Sequence, residues 1–521
     1  MSQVIDHEQA DAGDLATLGY RQELHRRLGP FASFCSGFSF VSILTTVFQL
    51  FALGFGFGGP AFFWTWPLVF IGQFAVALVF AELSARYPIA GAIFQWSRRV
   101  SNDPLGWFAG WLMMIGYIVS VAAIAIALQA VLPEVWSGFQ LYGHDTSPTS
   151  HDGAINAIIL GCICIAVCAA IASFGVTKMA AITRIGVTCE ITGIVLVLIL
   201  LFAHSKRGPQ VVFHTNGVQG HGSYLWPFLA SMLMAAYVMY GFDSAAELSE
   251  ETNDPRRTAP KAITRCMLVS GVGGGLLLLA TMMAAPKIDA AELSTQGVAY
   301  VVTAQLGDLV GRIVLAIVGI SIFSAALAIS ASATRVMFSM ARDGQLPFFR
   351  QLSRVSTRTG TPLWPGLVVA ALSIGVLLLN LGQSGVFASV TSVSVVIVYL
   401  AYLLVTVPLL WHRLRRTPDH TTPTATHFTL GRWGLPVNLS AVVFGLFLLI
   451  DVGWPRAAVY DPASLTDPHA GTWYLHYSSL LFTGGAILVG ALAYPLMKRQ
   501  QAGVAGKTHD EPAPLLTRRA P

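Results

Sequence analysis

Charge is what this sequence has least of. Only 11% of its 521 residues are Asp, Glu, Lys or Arg, against roughly 25% in ordinary soluble domains. The scarcity excludes a water-soluble globular enzyme, a disordered chain and a nucleic-acid binder, each of which needs charge for solvation or phosphate contact. Cysteine is sparse as well. Cys35, Cys162, Cys164, Cys168, Cys189 and Cys266 all lie in or beside apolar runs, and no candidate outer loop holds a pair, so no structural disulfide is expected. The trio Cys162, Cys164 and Cys168 reads as small buried hydrophobes rather than metal ligands. His-Glu-x-x-His, a Walker loop and a Gly-x-Ser-x-Gly at a helix start are all missing, which argues against a metallohydrolase, a primary pump and an intramembrane serine enzyme. No cofactor is expected. The first thirty residues lack an early apolar core, so no cleavable signal peptide is expected.

What is present is hydrophobic length. Apolar residues make up 54% of the chain and collect in twelve continuous runs, at about 31–57, 61–85, 107–131, 154–174, 183–203, 225–247, 263–285, 312–334, 365–380, 388–411, 435–453 and 473–496. Each approaches the roughly 20 residues a spanning helix needs. The runs are continuous rather than alternating, which excludes a membrane β-barrel. With the N-terminus placed inside, 26 of the 31 Lys and Arg fall on inner segments and 5 on outer ones. That asymmetry predicts both termini in the cytoplasm and an even number of spans. The net charge of +5 then needs no nucleic acid to explain it. The expected organisation is a cytoplasmic segment over 1–30, a membrane-spanning core over 31–411, two further helices over 435–496 and a disordered cytoplasmic tail over 497–521.

The core contains a repeat. The first five runs precede the next five by offsets of about 194 to 211 residues, pairing 31–203 with 225–411. Five is odd, so the second copy must enter from the opposite face, which predicts an inverted five-plus-five repeat. The fold class expected is therefore all-α and polytopic, with twelve transmembrane helices. Such folds place their site where paired helices break near the midplane. Ser36-Gly37-Phe38-Ser39 in the first run and Gly241-Phe242-Asp243-Ser244 in the sixth each set glycine beside small polar residues, so breaks are expected there. Close packing of two helices at Gly37 and Gly241 is the alternative.

Several motifs resemble one family. Leu18-Gly19-Tyr20-Arg21-Gln22-Glu23-Leu24 and Gly37-Phe38-Ser39 are similar to the opening of the amino acid/choline transporter branch of the amino acid–polyamine–organocation superfamily. Glu82-Leu83-Ser84, Tyr87 to Ala92 and Gln95-Trp96 resemble its segment after the second helix, with Gly91-Ala92 where the family carries Gly-Gly. Gly241-Phe242-Asp243 through Glu250-Glu251-Thr252-Asn253-Asp254-Pro255 to Ile263 resembles its sixth-to-seventh helix motif, and Ala341-Arg342-Asp343-Gly344 to Pro347 the one after its eighth helix. The resemblance implies a twelve-helix permease for amino acids or related amines, usually driven by ion coupling.

The candidate site follows. Unwinding at Ser36–Ser39 would expose N–H groups that favour a substrate carboxylate, with serine back-bonding to its own helix as the alternative. Asp243 can pair with a substrate amine, carry a proton, or support a cap, because Ser244-Ala245-Ala246-Glu247 reads as a capping box. Glu190 in the fifth run can couple protons or make a fixed hydrogen bond to Thr188 or a neighbouring helix. Phe38, Phe40, Tyr240 and Phe242 can gate the site or simply pack. Ser321, Ser324, Ser330 and Ser332 allow close helix approach or coordinate sodium, the less favoured ion beside proton. Arg342, Asp343, Arg256 and Arg257 can form an inner ion-pair gate or serve as ordinary anchors. The function expected is a secondary active permease of the plasma membrane, working by alternating access as a proton symporter. An exchanger and a transporter-like nutrient sensor remain open. So does the substrate: α-amino acids, γ-aminobutyrate, choline and polyamines all suit an acid facing a helix N-terminus.

Overall fold

A computed structural model describes residues 13, 15–147, 150–218, 222–378, 386–415, 427–460 and 473–509, without the side chains of 386–388 and 499–509. The remainder of the expected N-terminal segment (1–12 and 14) and the end of the expected tail (510–521) lie outside the described residues. Among the described residues the chain is helical, with no strand and one isolated bridge between Leu28 and Thr252.

Among the described residues, ten helical segments are long and apolar enough to cross a membrane, and two shorter apolar helices, Leu225–Val238 and Leu363–Leu378, accompany them. The principal elements are α1 (Pro30–Val41) and α2 (Ile43–Gly58), α3 (Thr65–Arg86), α4 (Ala92–Val100) and α5 (Asp103–Ile126). They continue with α6 (His151–Ser173), α7 (Val176–Ala203), α8 (Leu225–Val238) and α9 (Ser244–Glu247). α10 (Pro255–Ala284), α11 (Val298–Arg342), α12 (Leu363–Leu378), α13 (Val386–Leu414), α14 (Gly434–Gly453) and α15 (Ser478–His509) complete the bundle. Local chemistry sets several starts. Pro30 opens α1, where its missing N–H costs nothing. The Asn102 side chain accepts from Leu105 N at 3.0 Å to cap α5. Ser150 does the same for α6 through Gly153 N at 3.0 Å. α11 runs past its expected ends because its apolar face continues, and Gly307 bends it with φ +78°. α15 runs on to His509, through part of the tail expected to be disordered. Gln500, Gln501, Ala502 and Ala505 are compatible with helix there.

The two halves of the first run are the decisive local feature. The sequence pointed to unwinding at Ser36–Ser39, yet those four residues are helical, and the break falls at Ser42, with φ 39° and ψ 74°. Its N–H still closes on Phe38 O at 2.8 Å, and Thr46 N bonds Ser42 O at 2.9 Å. One left-handed residue thus separates two helices that each keep their own ladder. The sixth run breaks where the sequence placed it: α8 ends at Val238, Gly241 takes φ +89°, and α9 begins at Ser244.

α1, α2, α8 and α9 form the centre, and α3, α5, α7, α10, α11 and α13 wrap it. Burial differs widely among the spans. Asp103–Val135 is 83% buried in its apolar window and Ser478–Lys498 only 11%, so α5 belongs to the interior and α15 to the periphery. The end of the bundle that receives the N-terminal segment also carries Arg98, Arg335 and Arg342 and is its basic end.

Candidate functional site

The two breaks touch. Ser244 Oγ donates to Ser36 O at 3.3 Å. A Cβ on Gly37 would lie 3.4 Å from Ala245 Cβ and 3.5 Å from Phe242 O, so glycine here lets α1 reach the second break. A Cβ on Gly241 would fall 1.9 Å from the Phe40 ring, so that ring fills the space glycine leaves. Gly241 combines this close approach with positive φ, two independent reasons for the residue.

Asp243 is fully buried. Tyr117 OH from α5 donates to one carboxylate oxygen at 2.5 Å, and Tyr402 OH from α13 donates to the other. The Tyr402 oxygen also accepts from Gly241 N at 3.0 Å, tying the freed backbone of the break to the acid beside it. Burial of a carboxylate requires this degree of compensation. Asp243 occupies the N-cap position of α9 without a side-chain cap, and Ser244 bonds α1 instead. The anticipated capping box is therefore not formed. Glu247 points at the backbone N–H groups of Gly91, Ala92 and Ile93 at the start of α4, without closing a hydrogen bond of ordinary geometry.

Glu190 serves the other break. Its Oε1 accepts from Ser42 Oγ at 3.0 Å and from Leu44 N at 3.2 Å, while Oε2 is buried without a partner. Of the two options raised for a fixed bond, the neighbouring helix applies; Thr188 Oγ1 turns back to Arg184 O at 2.8 Å. A carboxyl group is thus seated on the Leu44 N–H at the start of α2, where a helix presents its positive pole.

The remaining candidates divide. Ser39 Oγ meets Ser324 Oγ at 2.8 Å across α1 and α11, whereas Ser321, Ser330 and Ser332 bond carbonyls four residues earlier on α11. Phe40 packs on Tyr117 and Tyr240 at 5.1 and 6.0 Å between centroids. Tyr240 OH joins Ser120 and Ser394 at 2.8 Å each. Phe242 packs on Tyr402 at 5.8 Å. Phe38 turns aside and stacks on Phe34 at 5.5 Å. The structure therefore brings Ser36, Gly37, Tyr240, Gly241, Phe242 and Asp243 together and leaves Phe38 to packing.

A second polar layer closes the basic end. Arg342 binds both oxygens of Glu250 at 2.8 Å, and Ala90 N adds a third contact at 3.1 Å. Arg335 grips Glu251. Asp343 receives Arg98 at 2.7 Å, Tyr20 OH at 2.8 Å and Gln95 at 3.1 Å. Burial first, and then Asp343, push the Tyr20 phenol up to about 12. Residues 20–28 run as an extended strap over this layer: Arg27 N and Leu28 N both bond Glu251 O at 2.9 Å, and Asn253 N returns to Leu28 O at 2.9 Å. Of the expected gate residues, Arg342 and Asp343 belong to the layer. Arg257 instead lies 3.9 Å from Asp254 at the surface, and Arg256 reaches Ala85 O at 3.4 Å.

Sequence reading missed Ser42, Tyr117, Tyr402, Glu250, Glu251 and Arg335 as site or gate residues. The signal available for the tyrosines was the buried acid itself, since Asp243 demands donors. For Arg335 it was the two adjacent glutamates, which need cations if buried.

A family model described as amino acid permease matches residues 28–481. The chain is 26% identical over 503 residues to the amino-acid permease BAT1 of Arabidopsis thaliana, covering 90% of this chain and 95% of that one. It is 26% identical over 468 residues to the amino-acid permease BAT1 homolog of Oryza sativa subsp. japonica, covering 84% and 88%. With the branched-chain amino acid permease BcaP of Lactococcus lactis it shares 26% over 380 residues, covering 71% and 78%.

Proposed function

The chain belongs to the amino acid permease family, a multi-pass membrane protein moving amino acids across a membrane, and from that premise we propose a proton-coupled symporter of the plasma membrane working by alternating access. The observation that carries this reading is the meeting of two broken helices, each with a buried carboxylate: Glu190 at Ser42 and Asp243 at Gly241. Breaks in the first and sixth of twelve spans fit an inverted repeat of 31–203 and 225–411, with 435–496 added outside it. The basic end would be cytoplasmic, holding both termini, as the Lys and Arg asymmetry favours.

The substrate lies between the breaks. Its amine faces Asp243 and the Tyr240–Phe242 carbonyls, and its carboxylate faces the first break. Relatives named as amino-acid permeases favour an amino acid over choline or a polyamine. The ion-paired basic end supports a form closed on that side. Two buried acids favour the proton; between α1 and α11 sodium would have the Ser39–Ser324 hydroxyl pair as oxygen ligands.

Uptake into proteoliposomes tests the reading. A radiolabelled panel of the twenty amino acids should accumulate under an inward proton gradient without sodium. Accumulation only under a sodium gradient would assign the other ion. One-for-one counterflow without net uptake would make the protein an exchanger, and no transport at all would leave a sensor.

A further inference from the structure

Glu190 sits where the proposed site would seat the substrate's own carboxylate. α7 is shaped to bring it there. Gly186, Glu190 and Gly193 share one helix face. A Cβ on Gly186 would lie 2.4 Å from Ser324 Oγ, and one on Gly193 would lie 2.7 Å from Ile317 and 3.2 Å from Leu44. The glycines above and below the acid therefore let α7 press against α2 and α11, and Glu190 enters the break between α1 and α2. There its Oε1 takes the N–H of Leu44 and the hydroxyl of Ser42. Ser42 Oγ reaches Thr45 Oγ1 at 2.8 Å as well, so the polar groups at the start of α2 form one connected patch. A helix start offers about half a positive charge. One internal carboxylate already satisfies it, and a second anion would meet a full like charge.

We propose that Glu190 is a built-in competitor for the carboxylate subsite formed by Ser42, Leu44 and Thr45, and that adding a proton to Glu190 opens that subsite to the substrate carboxylate. This inference rests on the symporter reading and supplies its coupling step. A proton from water adds to Oε2, the oxygen without a partner. The carboxyl becomes neutral, its hold on Leu44 N weakens, and the pole becomes available to the substrate anion. When the substrate leaves, the proton leaves, and Glu190 returns to cap α2. Proton and amino acid then bind cooperatively because both states place one net negative group at the pole, never two.

The groups around Glu190 leave it as the acid at this pole. From α10 the facing titratable group is Cys266, which also senses Asp243. α1 carries Cys35, which lies within the field of Arg184, six residues before Glu190 on α7 and about 9 Å along the axis. α11 presents Ser324 and Ile317, and α2 presents Leu44 and Thr45. Cys189 is the sequence neighbour on α7 itself.

Binding to the purified full chain in detergent tests the competition without any ion gradient. The probes are the twenty amino acids, and for each that binds, the amine lacking its carboxylate. The ratio of the two dissociation constants cancels whatever Asp243 contributes through the shared amine. Between about pH 8 and pH 5.5 the amino acid should tighten by at least about tenfold relative to its amine, a coupling of ordinary size. In Glu190→Gln the ratio should be flat across that range and stay near the wild-type value at low pH. In Glu190→Asp, whose shorter arm withdraws from Leu44, the amino acid should bind more tightly than to wild type at pH 8. A wild-type ratio that ignores pH, or a Glu190→Gln protein that keeps the wild-type slope, overturns the competition while leaving the symporter intact. Should Glu190→Gln not fold, the wild-type ratio decides alone. Failure of every amino acid to bind would instead overturn the amino acid site, and this inference with it.

Discussion

Arg335 and Glu251 form a two-point ion pair at the basic end of the bundle, one guanidinium nitrogen lying 2.9 and 3.1 Å from the two carboxylate oxygens. The side chains are only 2% and 0% exposed. Glu251 uses its backbone oxygen separately, to hold Arg27 and Leu28. The side-chain pair and the strap can therefore be altered independently.

Removing one member of a buried pair strands the other charge, which costs about 3–5 kcal/mol, whereas replacing both with apolar groups is often close to neutral. Arg335→Met and Glu251→Leu should each lower the thermal midpoint sharply in detergent. The double variant should recover most of the loss and still carry the strap. A double variant no more stable than either single one would show that the pair does not act as a unit.

Tyr20 connects the strap to Asp343, and its phenol is pushed up to about 12 from an unfolded value near 10. A raised acid favours its neutral form in the fold. The contribution is therefore complete below about pH 10 and is lost only as pH rises through about 12. Tryptic cleavage at Arg21, Arg26 and Arg27, normalised to a free peptide of the same sequence, should be slow and flat from about pH 7 to 9. Tyr20→Phe removes a hydrogen bond to a charged group, worth about 1.5–3 kcal/mol, and should raise cleavage about tenfold or more. A normalised wild-type rate that climbs steadily over that range would contradict this anchoring.

The apolar runs were legible because a bilayer demands long uninterrupted hydrophobicity, and the second break was legible because Gly241-Phe242-Asp243 puts glycine and an acid inside such a run. The first break was misplaced for a physical reason. Gly37 stays helical and serves close approach to Ala245, while Val41-Ser42-Ile43 carries no turn signal. A left-handed serine is held there by Glu190, 148 residues away, and no local pattern encodes that contact. Tyr117 and Tyr402 escaped similarly: within an apolar run a tyrosine reads as packing until the acid it serves is placed beside it. Arg335 lies just past the expected end of the eighth run, where any cation reads as an anchor.

The two glycines near the breaks should respond differently to the same change. Gly241→Ala forces a side chain into a left-handed backbone and into the Phe40 ring, 1.9 Å away. Strain of about 1–2 kcal/mol for the backbone alone is then joined by overpacking of about 1–3 kcal/mol. Gly37→Ala meets its neighbours at 3.4 to 3.6 Å, ordinary contact distance. Gly241→Ala should lose transport and several degrees of thermal stability, and Gly37→Ala should keep its fold. Equal damage at both positions would mean that α1 and α9 tolerate no added volume anywhere along their contact.

Asp243 and Tyr402 allow the substrate contact to be separated from the architecture of the break. Tyr402→Phe deletes the hydroxyl that links Gly241 N to the carboxylate, leaving a buried donor and a buried acceptor unpaired at about 1–3 kcal/mol each. It should destabilise the protein whatever the substrate does. Asp243→Asn acts differently. The amide oxygen can still accept from Tyr117, and the amide nitrogen can donate to the Tyr402 oxygen, which leaves one buried donor, the Tyr402 O–H, without its acceptor where Tyr402→Phe leaves two groups unpaired, so the fold should survive. What disappears is the negative charge. If the acid pairs with the substrate amine, losing that desolvated contact should cost about 2–5 kcal/mol of binding, a weakening of some thirtyfold or more. If Asp243 serves only to hold the two phenols around Gly241, affinity should remain within about threefold. Measurement in detergent at one fixed pH keeps ion gradients out of the comparison. An Asp243→Asn protein with near wild-type affinity would withdraw the acid from direct contact with substrate and leave it as the post that holds the second break open.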